Sequence, residues 1–122
     1  MKSLLPNSRK YDISVYPSGK IEISAHVAHR LSLFPGDVID FVKDQDEIFL
    51  RVKLRAGSCV GRHEGRVWST AHGKGTFRAW SKALAKVFLA AAGVSGPLRC
   101  PCGSPLQHND STFIPVIYRC SL

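Results

Sequence analysis

Acidic residues are scarce in the second half of this chain: past residue 56 only Glu64 and Asp110 remain. With two carboxylates in that half there is no paired-carboxylate site for general acid and base work there, and no catalytic constellation is expected anywhere in the chain. Long apolar runs are also missing. The longest, Ala83 to Val94, is interrupted by Lys86 and closed by Gly93, well short of the ~20 residues a membrane-spanning helix needs. The first ten residues hold no export-signal core, so a cytoplasmic protein without a membrane partner is expected. At 122 residues the chain is too short for folds such as the complete eight-fold α/β barrel of ~250 residues. Low-complexity segments and repeat periods are absent, and 44% hydrophobic residues exclude wholesale disorder.

What is present is positive charge, unevenly placed. Residues 1–56 hold nine Lys and Arg against seven Asp and Glu, whereas residues 57–122 hold eight against two, and the whole chain carries +8. Such a field attracts polyanions, nucleic acid first, although solubility alone also uses surface charge.

Residues 11–23 predict two short strands, with Ile13, Val15, Ile21 and Ile23 alternating about Pro17-Ser18-Gly19. Ser24 is a candidate cap for a helix from Ala25 to Leu31 that buries Val27, Ala28 and Leu31, and Pro35-Gly36 ends it. Strands are expected at 38–42 and 47–52. Past a Gly- and Ser-rich junction at 57–65, Arg66–Trp68 and Thr76–Trp80 predict a further hairpin. A helix follows, capped by Ser81 and stopped by Gly93, with Leu84, Val87, Phe88 and Ala91 as its apolar stripe and Lys82 and Lys86 opposite. Strands at 98–102 and 113–118 close the chain around a polar loop. The fold class is therefore mostly β with short helices (α+β), divided into residues 1–56 and a basic β-hairpin, helix and β module at 57–122.

In the first half, Val15-x-x-Ser18-Gly19-Lys20-Ile21-x-Ile23, then Val27…Leu31-x-Leu33-x-Pro35-Gly36-Asp37-x-Ile39, then Glu47-Ile48-x-Leu50-Arg51 follow one another. This order resembles the AbrB/MazE/SpoVT family of swapped-hairpin transcription factors over residues 11–52, about a third of the chain. The resemblance implies a β-barrel half completed by homodimerisation and a DNA-binding role of the kind found in bacterial regulators and antitoxins. It assigns DNA contact to Lys20 and His29, with Arg30 as a shifted substitute and Arg9 and Lys10 as a basic arm ahead of the first strand. The physics of size agrees, since four strands this short bury little surface alone and leave their edges open. The chain departs from the family at Ser24, where Pro is usual, at Ala28-His29, where two basic residues are common, and at Glu22 beside Lys20. The expected function is a small dimeric DNA-binding transcriptional regulator. The alternative is an assembly protein that keeps the hairpin scaffold for dimerisation, with a protein partner on residues 57–122.

Four other features of the sequence carry candidate chemistry. Cys100-Pro-Cys102 and Cys120 echo a zinc ribbon, with Cys59 or His108 as fourth ligand, but the ligand set is incomplete. A strand with Leu98, Cys100 and Cys102 on one buried face is preferred, and no metal or other cofactor is expected. Trp68, Phe77 and Trp80 alternate with Arg66, Arg78 and Lys82, a pattern suited to stacking on bases; core-facing aromatics are preferred. Gly73-Lys74-Gly75-Thr76 precedes a strand rather than a helix, so it is a hairpin turn and not a phosphate loop. The five histidines, including the i, i+3 pair His26 and His29, are expected in solvent or facing DNA.

Overall fold

A computed structural model describes residues 11–58, 61–70 and 75–118. The first hairpin forms as expected: β1 (Ile13–Val15) and β2 (Lys20–Ile23) run antiparallel, with Ile13 opposite Ile23 and Val15 opposite Ile21. Gly19 in the turn has φ +105°, and a Cβ there would stand 2.9 Å from the Lys82 backbone nitrogen. Only glycine suits both the backbone angle and that close approach.

Ser24 starts α1 (Ala25–Arg30) by accepting the Val27 N–H at 3.3 Å while its hydroxyl donates to Asp12 at 3.1 Å. Val27, Ala28 and Leu31 are buried beneath it. The Pro35-Gly36-Asp37 turn leads into β3 (Val38–Asp44), which pairs with β4 (Glu47–Leu54) across a two-residue turn. On that hairpin Arg51 Nε donates to Asp40 at 2.8 Å, and this bond raises the guanidinium pKa above its ordinary value.

A 3-10 turn at Ala56–Ser58 precedes β5 (Val67–Ser69) and β6 (Phe77–Trp80), the arms of the second expected hairpin. Then comes α2 (Lys82–Ala92), capped by Ser81, which accepts the Leu84 N–H at 3.0 Å, and closed by Gly93 at φ +78°. Its buried residues are Ala85, Phe88 and Leu89. Val87, assigned to the apolar stripe from spacing, is instead 61% exposed. The helix is turned so that the i, i+3, i+4 set beginning at Ala85 faces inward, and Phe88 packs on Phe41 with ring centroids 4.5 Å apart. The tail holds β7 (Leu98–Cys100), β8 (Leu106–His108) and β9 (Ser111–Val116). β8 lies within the expected polar loop; Asn109 and Asp110, both at positive φ, form the tight turn that folds it back on β9.

Among the described residues there are thus nine strands and two α-helices, in two antiparallel sheets ordered β5-β6-β2-β1-β7 and β3-β4-β9-β8. Isolated bridges from Val38 to Arg66 and from Cys102 to Val116 link one sheet to the other. The element order β-β-α-β runs twice, as β1-β2-α1-β3 and as β5-β6-α2-β7, although no sequence period announces it.

Both sheets mix strands from either side of residue 56. The β1–β2 hairpin sits between β6 and β7, and β4 pairs with β9. Open strand edges were the physical argument for a second chain; here strands of the same chain flank β1, β2 and β4, and β3 remains an edge. Ile13, Ile21, Val67 and Ala79 from one sheet share a buried cluster with Ile39, Leu50 and Ile114 from the other and with Val27 and Phe88 from the helices. Among the described residues no helix is long and apolar enough to cross a membrane.

Candidate nucleic-acid interface

Strand alternation builds the candidate site. In the five-stranded sheet Ile13, Val15, Ile21, Ile23, Val67, Phe77, Ala79 and Cys100 turn inward and are buried. Their neighbours must therefore point out of the other face. The register places them in two rows. One row crosses all five strands as Trp68, Arg78, Glu22, Ser14 and Arg99. In the other, Trp80 stands opposite Lys20, whose backbone carbonyl accepts the Tyr16 N–H.

Contacts within the face tie cations to aromatics. Lys20 Nζ lies 4.6 Å from the centre of the Tyr16 ring, and Arg99 Nη2 donates to the Tyr16 hydroxyl at 3.4 Å. Arg78 donates to Glu22 through Nε at 3.0 Å and Nη2 at 2.7 Å. That pair is about one-third exposed on each side. A surface pair of this kind contributes ~1 kcal/mol or less, so an incoming phosphate can compete for Arg78. Trp68 and Trp80 are 55% and 63% exposed. The core-facing expectation for these two tryptophans is corrected, while Phe77 is buried as expected. Phe77 and Trp80 are three residues apart on one strand and so cannot share a face; Ala79 takes the inward position beside Trp80.

Of the DNA-contact residues expected from sequence, Lys20 lies on this face. His29 and Arg30 are exposed in the last turn of α1, beyond the opposite end of β2 and roughly 10 Å of strand away from Lys20. The three residues thus stand on different elements, Lys20 on β2 and the other two on α1, and cations at a helix C-terminus also complement its dipole. Arg9 and Lys10 lie outside the described residues. Tyr16 and Arg99 were not singled out from the sequence. Alternation within Ile13–Val15 and Leu98–Cys100 could have placed them outward, but only the β1–β7 pairing puts them side by side.

Two of the four cysteines are among the described residues. Cys100 is buried in the core, and the Cys102 backbone N–H donates to the buried Asp12 at 2.9 Å. His108 is exposed on β8 with its ring against Phe113. Cys59 and Cys120 lie outside the described residues, and among the described residues no group of three or more His, Cys, Asp or Glu side chains is placed to hold a metal ion. The Gly73-Lys74 part of the turn is likewise outside them, and Gly75 leads into β6, a strand. No protein-family model, curated protein or solved structure matches this chain.

Proposed function

We propose that this protein is a small DNA-binding regulator that engages its polyanion through the outer face of the five-stranded sheet. The observation that carries the reading is the convergence of Lys20, Arg78 and Arg99 with Tyr16, Trp68 and Trp80 on one face where Glu22 is the opposing carboxylate. The chain's charge of +8 and the swapped-hairpin resemblance of residues 11–52 support it. In this reading the chain carries its own second copy of the hairpin unit. β6 and β7 flank the β1–β2 hairpin, so both edges of that hairpin are closed within one chain. A homodimer then requires another surface.

The test is binding to a random-sequence DNA duplex at about 50 and 200 mM salt. Three cations on phosphates give a log–log slope near −2.7, about a 40-fold loss of affinity over that range. Lys20→Ala weakens binding uniformly and reduces the slope by about one. Binding that is absent at low salt, or insensitive to salt, overturns the proposal. It would favour instead the assembly reading, which has its own support in the Arg78–Glu22 pair and in β8, an edge strand with Leu106 51% exposed.

A further inference from the structure

Both tryptophans of the chain lie on the outer face of the five-stranded sheet, and neither is buried. Burial is the usual fate of so much apolar ring surface, and an exposed aromatic patch on a folded domain marks a contact surface. From the arrangement of this patch we infer that the face binds single-stranded nucleic acid by stacking bases on its aromatic rings. The inference rests on the nucleic-acid reading above and adds the form of the ligand and the residues that read it.

The spacing carries the argument. Trp80 pairs with Lys20 across β6 and β2, and Tyr16, just past the end of β1, bonds to Lys20 from the other side. The two ring-bearing positions are thus two strand spacings apart, about 10 Å, with Lys20 between them and its ammonium over the Tyr16 ring. A single strand presents the same alternation, a base on either side of a phosphate. Trp68, diagonal to Trp80 in register and one strand over, offers a further exposed ring at the edge of the sheet, its far end near Gly36, while Arg78 and Arg99 flank the path with charge. A duplex keeps its base faces inside the stack, where these rings cannot reach them; a single strand leaves them open. An apolar protein partner fits less well, because cations are interleaved through the patch rather than confined to its rim.

The experiment uses the full chain and its intrinsic fluorescence, which reports on this face because it holds both tryptophans. The probes are an oligothymidylate of about 12 nucleotides, a duplex of the same length, and inorganic polyphosphate of matched charge. Single strand is expected to quench the tryptophan emission and to bind at least about tenfold tighter than duplex or polyphosphate. Trp80→Ala weakens single-strand binding about tenfold, Trp68→Ala weakens it independently, and Trp80→Phe restores most of the loss. Both tryptophans are more than half exposed, so these variants keep the fold, which circular dichroism checks. Equal affinity for single strand and duplex, equal binding of polyphosphate, or unchanged single-strand affinity in both alanine variants overturns the inference. Salt-dependent binding to duplex without a single-strand preference leaves the regulator reading standing and removes only this one. Failure of every nucleic acid to bind removes both.

Discussion

Asp37 gives the sharpest test of how the turn after α1 and the end of the first half are held. Its side chain is 1% exposed and gathers the Phe34 N–H at 2.9 Å, the Ala56 N–H at 2.7 Å and Arg55 Nη1 at 2.9 Å. Arg55 also donates to the Ser32 and Leu31 carbonyls at the end of α1, and the Asp37 carbonyl accepts the Val67 N–H of β5. One carboxylate therefore holds the Pro35-Gly36 turn, the helix end and the junction at residue 56. Asp37→Ala removes two backbone bonds to a charged acceptor, each contributing about 1.5–3 kcal/mol. The Arg55 pair adds ~1 kcal/mol or less, because its guanidinium is half exposed. The expected loss is about 3–5 kcal/mol, a large share of the ~5–15 kcal/mol that holds a typical domain together. With an m value of about 1–3 kcal/mol/M, the urea midpoint should fall by roughly 2 M. Asp37→Asn retains one acceptor oxygen and loses the charge, so about half that fall is expected, and Arg55→Ala should cost ~1 kcal/mol. An Asp37→Ala protein whose midpoint moves by less than about 0.5 M would refute the reasoning.

Two other expectations follow from packing and topology. Phe88→Ala should destabilise by about 3–5 kcal/mol in the same urea experiment, whereas Val87→Ala next to it should stay within about 0.5 kcal/mol of the parent; similar losses for the two would mean that α2 is turned differently. Because strands of the same chain flank both sides of the β1–β2 hairpin and the β4 side of β3–β4, light scattering should give a mass of 13.4 kDa. Twice that mass at micromolar concentration would refute this expectation and point to the open β3 edge as the contact.

The candidate site was half legible in the sequence. Lys20 stood out through the hairpin motif, and the alternation of aromatic and basic residues near Trp68 and Trp80 was visible as a pattern suited to stacking. Its orientation was not. Whether a tryptophan on a three- or four-residue strand faces the core depends on which neighbours fill the core, and here Val67, Phe77 and Ala79 do so. His29 and Arg30, which the resemblance grouped with Lys20, stand instead in the last turn of α1.

What the sequence by itself determined was local. Ser24 and Ser81 start helices because their hydroxyls accept nearby backbone N–H groups, Gly93 stops one because it tolerates a left-handed backbone, and the Ile13–Ile23 alternation forms a hairpin across a short turn. Those interactions span a few residues and are written in residue type. The tertiary structure alone decided that β2 pairs with β6, β1 with β7 and β4 with β9. Such pairings join residues 54 or more positions apart, through backbone groups that every residue carries, so no local pattern encodes them. They set which edges are closed, which face of the sheet meets solvent, and so where Tyr16, Lys20, Trp80 and Arg99 come together.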